Sequence, residues 1–338
     1  MNSFGRIFRI SIFGESHGKK VGVCIDGCPA GLAIDEADFR HDLSRRQGGG
    51  GKGTTPRREP DSPNIVSGVV NGCTTGSPIT ILFENTNTRS SDYDNLRDIP
   101  RPGHADFSAY KRYGGFADMR GSGHFSGRLT VGIVAAGVVA KKIIAPAKAS
   151  ARLVQVGGSE EIDETIAKAA DSGDSVGGLI ECLITGIEAG VGEPFFDSVE
   201  ARLSHFIFAV PATRGIEFGT GFNAAMMLGS EHNDPFCSQQ GRTLSNHAGG
   251  INGGITNGND IIFRVAVKPA SSIAKPQTTM NFTTGSMETL EVHGRHDACI
   301  AVRIVPVIEA AAAITMADMI LTRKAGEAFR GQDNSYKQ

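Results

Sequence analysis

Two stretches of the chain are apolar on nearly every helical face: Leu129 to Ile144, and Val307 to Leu321, the second broken by Glu309 and Asp318. A helix with no polar face has to be buried all round, so both are predicted inside a large core. Other segments read as strands: Ile7 to Phe13, Val21 to Asp26, Gly178 to Gly186, Gly215 to Gly219, Ile261 to Val267 and Ala301 to Val305. Ile65 to Val70 and Ser77 to Glu84 alternate like paired strands around Asn71-Gly72. Asp35 is placed to cap a helix running to about Arg46, with Phe39 and Leu43 on one face. Further helices are expected near Glu160 to Asp171 and Asp197 to Phe208. Helices and strands mix without a βαβ rhythm, which predicts an α+β fold. No linker rich in Pro or Ser divides the chain, so residues 1–338 read as a single domain with a polar, frayed end from Gly331 to Gln338.

Composition narrows the functional classes. The chain is 40% hydrophobic and 21% charged, with a formal net charge of −2, which argues against a wholesale nucleic-acid coat. Trp is absent and Tyr scarce, so stacking platforms for single strands are poorly supplied. The six cysteines form no C-x-x-C pair and read as reduced, mostly buried small hydrophobes. The start of the chain lacks the basic and apolar regions of a signal peptide. No apolar stretch was expected to reach a membrane span, the best being Val131 to Ala145, interrupted by Lys141 and Lys142. The expectation is a cytoplasmic enzyme with neither membrane nor nucleic-acid partners.

The chemistry-bearing residues sit on glycine-flanked turns. His17 lies in Gly14-Glu15-Ser16-His17-Gly18, and His104 in Arg101-Pro102-Gly103-His104-Ala105-Asp106. Such turns expose an imidazole, whose ordinary pKa is near neutrality, to a ligand; the plain alternative is two histidines that brace their turns. The run Arg45 to Arg58 holds Gly48 to Gly51 and Lys52, but Lys52 is followed by Gly53 where a Walker loop needs Ser or Thr. What remains is a basic, glycine-rich loop suited to phosphate or carboxylate, or a solvated loop. Arg120 to Arg128 runs into the first apolar helix, where free N–H groups favour an anion. Gly249 to Gly254, Lys268 to Ser272 and Gly294 to Asp297 add further Gly, Lys, Arg and hydroxyl clusters. Together they suit a doubly anionic substrate and a phosphorylated cofactor. No H-x-x-x-H or paired-carboxylate spacing supports a metal.

These motifs, with Arg57-Arg58-Glu59-Pro60-Asp61 and Ser245-Asn246-His247-Ala248-Gly249-Gly250, occur in order over nearly the whole chain. In this the sequence resembles the chorismate synthase family. The resemblance implies a β-α-β sandwich, antiparallel sheets enclosing central helices, in a homotetramer. It also implies a 1,4-anti elimination of phosphate from 5-enolpyruvylshikimate 3-phosphate, requiring reduced FMN. By the same resemblance His17 protonates the departing phosphate, His104 controls protonation of the reduced flavin, and Asp297 is the acid near flavin N5. Ser16, Arg46, Lys52, Arg101, Arg128 and Arg295 then fall on the substrate. His124, Phe125, Ser126, Ala212, Gly253, Lys268, Pro269, Ala270, Ser271, Ser272 and Arg295 fall where FMN is held.

The chain departs from the family pattern in three places. His124-Phe125-Ser126 stands where the family carries Arg-Ser-Ser, Lys52 where it carries an arginine, and Gly48 to Gly51 where it carries a Pro-Gly element. A competing reading is a phosphate- or RNA-binding module on the same scaffold, which would need no His17, His104 and Asp297. Some family members reduce their own flavin with NADPH. No G-x-G-x-x-G follows a strand here, so the expectation is an external flavin reductase, with NADPH entering only as a source of reduced flavin.

Overall fold

The structure, a computed structural model, describes residues 2–49, 53–55, 59–87, 98–292 and 296–327. The chain opens with β1 (Ser3–Phe4), β2 (Arg9–Gly14) and β3 (Lys20–Asp26), followed by α1 (Arg40–Arg46). Then come β4 (Asn64–Ser67), the short pair β5 (Val69–Val70) and β6 (Cys73–Thr74), and β7 (Ile79–Glu84). Strands β1, β2, β3, β7 and β4 form one antiparallel sheet in that order. Its inner face is set by period-two alternation: Val21, Val23 and Ile25 lie opposite Phe83, Ile81 and Ile79, all buried.

Next follow α2 (Asp106–Tyr113), α3 (Thr130–Ile144), β8 (Lys148–Val156), α4 (Ile162–Asp171), β9 (Gly178–Thr185), α5 (Val199–Ile207) and β10 (Thr213–Phe218). The remainder is α6 (Gly229–His232), β11 (Ile251–Asn252), β12 (Ile255–Thr256), β13 (Ile261–Val267), β14 (Gln277–Met280), β15 (Met287–Leu290) and α7 (Ala301–Glu327). Strands β10, β13, β9 and β8 make the second antiparallel sheet. Phe263, Ile261 and Val265 pair with Cys182, Ile184 and Ile180 on its buried face.

Helices α3 and α7 pack on each other between the sheets, α3 against β2 and β3, α7 against β8 and β9. This is the α+β sandwich expected. Small residues allow the close approach: a Cβ at Gly137 would collide with Ala310, which begins the run Ala310 to Ala313. A Cβ at Gly132 would meet Val23 Cβ at 3.2 Å and the Gly22 carbonyl oxygen at 3.2 Å.

The two charges that interrupt α7 are anchors. Glu309 accepts from both Arg45 guanidinium nitrogens (2.7 Å each), from Lys141 Nζ (3.1 Å) and from the Ala151 amide (2.9 Å). Burial pushes its carboxyl up, but Arg45, the Ala151 amide and Lys141 more than offset this, and its pKa lies below the ordinary value. Asp318 accepts from the amides of Arg6, Ile7 and Phe8 at 2.8–3.0 Å and from Arg202 at 2.9 Å. It thereby ties the beginning of the chain to the core.

Several sequence expectations are corrected. Ala301 to Val305 is not a strand but the start of α7. The β-branched run is locally strand-like, but its continuity with a buried helix decides its state. The pairing of residues 65–70 with 77–84 holds only for β4 with β7. Gly68 (φ +81°) bends the chain, and Asn71-Gly72 turns the separate β5–β6 hairpin. Strand β8, helix α2 and the β14–β15 hairpin were not anticipated. Contrary to the expectation about membrane spans, α7 is long and apolar enough to cross one, with mean hydropathy 1.9 over an 18-residue window. However, 83% of that window is buried within the protein. All six cysteines are free; Cys28, Cys182 and Cys299 are buried, whereas Cys237 is exposed. Residues 331–338 lie outside the described residues.

Candidate active site

One large cleft, of about 820 Å³, opens at the end of the sandwich where the loops converge. The loop after α1, the turn before α2, the approach to α3, the α5–β10 connection, the segment after β13 and the start of α7 all line it. So do Asn2, Ser3 and Phe4, held by the pairing of β1 with β2 and by the Ile12 amide, which donates to the Asn2 carbonyl at 2.9 Å. Among the described residues six basic side chains line the cleft, Arg46, Arg101, Arg128, Arg214, Lys268 and Arg303, against the carboxylates of Glu59, Asp61 and Asp297.

Arg46 and Arg128 are both buried, and both grip Asp61, whose side chain has no exposure. Burial pushes the Asp61 carboxyl up, but the two guanidinium charges overcome it and hold its pKa below the ordinary range. Arg128 also donates to Asn85 Oδ1 and the Glu84 carbonyl, both at 2.9 Å. Arg46 keeps an Nε with no hydrogen-bond partner among the described residues. Its pKa is lowered to about 10, first by burial and then by the charges of Arg303 and Arg128, with Asp61 opposing. An anion arriving there would relieve both effects.

Arg101 ties three loops together. Its Nε and Nη2 donate to Asp106 at 2.7 and 2.8 Å, its Nη1 to Ser272 Oγ at 2.9 Å, and its Nη2 to Ser122 Oγ at 3.1 Å. It therefore organises the cleft wall as much as it offers charge to a ligand. His104 lines the cleft beside it, with Nδ1 2.6 Å from Asp106 Oδ1. Asp297 also lines the cleft. It accepts from the Thr55 amide at 2.8 Å and from Arg303 Nη1 at 2.9 Å, while Arg303 Nε donates to the Arg46 carbonyl at 3.0 Å.

The approach to α3 needs its glycines. Gly121, Ser122 and Gly123 all have positive φ, and a Cβ at Gly121 would fall 2.6 Å from His17 Nε2. Thus His17 sits directly behind Gly121, which lines the cleft, rather than on the cleft wall itself. Ser16 is fully buried, its amide donating to the Gly123 carbonyl at 3.0 Å. His124 braces the beginning of the chain, with Nδ1 2.8 Å from the Gly14 carbonyl and Nε2 3.2 Å from Asn2 Oδ1. Ser126 caps the helical turn ahead of α3 by accepting from the Arg128 amide at 3.2 Å, and Phe125 lies near Tyr113 with centroids 6.3 Å apart.

Lys268, Pro269, Ala270, Ser271 and Ser272 line the cleft together with Ala212, whose φ of +71° is unusual for a residue with a side chain. Lys268 Nζ donates to the Gly103 carbonyl and to Ser271 Oγ (3.1 Å). Its pKa is lowered by burial and then by the Arg214 charge. Gly253 is not brought to this cleft: it turns the β11–β12 hairpin, and none of residues 245–254 lines the cavity. The hairpin is fixed instead by Gly254 against Ser198 and by Asp234, which accepts from Ser245 Oγ and the His247 and Ala248 amides. Lys52, Arg57, Arg58, Gly294 and Arg295 lie outside the described residues.

Sequence reasoning assigned no role to Asp61, Asp106, Arg214, Arg303 or Thr55. Asp61 and Asp106 stood inside quoted motifs, each a short distance from an arginine, and that spacing was the signal available. Among the described residues no group of three His, Cys, Asp or Glu could hold a metal ion.

A family model described as chorismate synthase matches residues 8–321. The chain belongs to the chorismate synthase family. It is 56% identical over 332 residues to the chorismate synthase of Chitinophaga pinensis, covering 98% of this chain and all of that one. It is 44% identical to that of Dehalococcoides mccartyi strain BAV1, covering 95% and 96%. A crystal structure of chorismate synthase superposes with a TM-score of 0.73 at 26% identity, covering 95% of this chain and 93% of that one. Family membership fits the double-sheet sandwich and the basic cleft found at its end.

Proposed function

We propose that the cleft converts 5-enolpyruvylshikimate 3-phosphate to chorismate and phosphate by 1,4-anti elimination, with reduced FMN as cofactor. The observation that carries this reading is the convergence of Arg46, Arg101, Arg128, Arg214, Lys268 and Arg303 with His104 and Asp297 on one cleft of about 820 Å³, in a chain of this family. The residues present fit a phosphorylated cofactor and an anionic substrate. Arg46 has a buried donor without a partner among the described residues and a pKa that an anion would restore, and Lys268 to Ser272 offer an ammonium group and two hydroxyls beside the strained Ala212.

Bound reduced FMN supplies electron density toward the breaking C–O bond. The chain's own residues do the rest. Arg46 and Arg128, backed by Asp61, hold the substrate's anionic groups, and Lys268 with Ser271 and Ser272 holds the cofactor side. His17, reached past Gly121, donates a proton to the leaving phosphate. His104 accepts and returns a proton at the cleft face beside the cofactor, and Asp297 serves as the acid on the flavin side.

A homotetramer in the cytoplasm, fed by an external flavin reductase, belongs to the same reading. The test is an anaerobic assay with chemically reduced FMN, and a parallel one with oxidised FMN and NADPH. Chorismate and phosphate in equal amounts in the first and none in the second is the expected result. No product with reduced FMN overturns the activity, and product in the second overturns only the dependence on an external reductase.

A further inference from the structure

The turn that carries His104 also carries the group that controls it. Asp106 is the first residue of α2, where the helix N-terminus favours an anion. Its carboxylate is buried, and it accepts from Arg101 Nε, Arg101 Nη2 and the Arg101 amide. Oδ1 of the same carboxylate lies 2.6 Å from His104 Nδ1. Burial alone would raise the Asp106 pKa; the Arg101 and His104 hydrogen bonds and charges reverse this and hold it far below the ordinary carboxylate range. Asp106 is therefore an acceptor only, and Nδ1 must carry the hydrogen between them. Arg101 Nη2, 3.0 Å from the same Nδ1, cannot be donating to it, because Nδ1 has no lone pair to offer in that state. No hydrogen bond to Nε2 is formed among the described residues, and the ring lines the cleft.

We infer that Asp106 is a positioning residue for His104: it fixes the Nδ1–H tautomer and turns the Nε2 lone pair toward the cleft as a proton acceptor. One proton then moves onto Nε2 and off again, while Asp106 stays ionised throughout. The opposing charges around the ring are Asp106 and Arg101 from its own turn and Lys268 from the segment after β13, bonded to the Gly103 carbonyl. The carboxylate contact holds Nδ1, which leaves Nε2 as the ring atom that faces the cleft. The inference rests on the reading of His104 as a proton carrier in the proposed reaction, but the tautomer can be measured without any turnover.

The experiment is magic-angle-spinning NMR of the full-length protein with 15N-labelled histidine, the His104 signals being assigned by their loss in His104→Gln. The expected result at a pH where the ring is neutral is a protonated Nδ1 and a bare Nε2. Asp106→Asn should lose this preference. Steady-state kinetics supply the second readout. Asp106→Asn should reduce kcat by roughly tenfold or more, with a smaller change in KM, and should cost nothing further in a His104→Ala background. A wild-type ring with its hydrogen on Nε2 overturns the inference. So does an Asp106→Asn effect confined to KM and equally large without His104, which would mean that the carboxylate serves Arg101 alone. Full activity in His104→Ala would instead remove the catalytic role while leaving the tautomer result standing.

Discussion

Replacing Asp61 by Asn keeps the shape of the side chain and removes the one negative charge between two buried guanidinium groups. The Asp61 side chain has no exposure, and those of Arg46 and Arg128 have 3% and 4%, so solvent cannot take over. At an effective dielectric near 20, one charge pair at about 4 Å is worth roughly 4 kcal/mol. Two such attractions are lost and the repulsion between the arginines is left, while the desolvation already incurred by all three groups offsets part of this. Removing one partner from a buried ion network typically costs about 3–5 kcal/mol. With about 2.1 cal/mol/K of unfolding entropy per residue, the midpoint of a 338-residue chain should fall by about 4–7 °C. Differential scanning calorimetry of both proteins, with and without inorganic phosphate, is the assay. Phosphate should narrow the gap, because an anion in the cleft stands in for the lost carboxylate. The acid limb should change too. The folded-state pKa of Asp61 is depressed, so its contribution is complete above the unfolded value near 4 and is lost as pH falls through the folded one. The variant should therefore lose less stability than the parent as pH falls below the ordinary carboxylate range. A midpoint change under about 1 °C, or a gap that phosphate does not alter, would refute the reasoning.

Gly137→Ala should destabilise the protein by about 1–3 kcal/mol, because the new methyl meets Ala310 across the α3–α7 contact; urea unfolding measures it. His17→Ala should slow turnover by roughly two to four orders of magnitude with little change in KM, and His17→Asn should not restore it, as initial-rate kinetics will show. Asp106 and Glu309 both have depressed folded-state pKa values, so stability should be level above about pH 5 and decline as pH drops below the ordinary carboxylate range. Circular dichroism melts across that range are the check.

The architecture was largely legible because its two decisive helices carry no polar face. Leu129 to Ile144 and Val307 to Leu321 could only be core, and the strands around them alternate clearly. Where local signals misled, tertiary contacts decided. Ala301 to Val305 is strand-like in composition but extends α7, and Glu309 and Asp318 looked like interruptions until their partners, over a hundred residues away in several cases, were seen. Glycine turns exposed the site: His104, Arg46, Arg128 and Lys268 to Ser272 do converge. What sequence alone could not give was which carboxylate sits under which arginine. Asp61 and Asp106 act through contacts with groups on other loops or across a turn, and no periodicity encodes that. Gly253 misled for the converse reason, since a glycine-rich turn looks the same whether it holds a ligand or merely closes a hairpin.

Cofactor and substrate are proposed to share this one cleft. A crystal structure of the protein with oxidised FMN and 5-enolpyruvylshikimate 3-phosphate tests it most directly. The expected result places the substrate's anionic groups against Arg46 and Arg128, the flavin beside Lys268 to Ser272, and His104 and Asp297 facing the pair. Flavin or substrate bound elsewhere on the protein, with the cleft left to solvent, would contradict it.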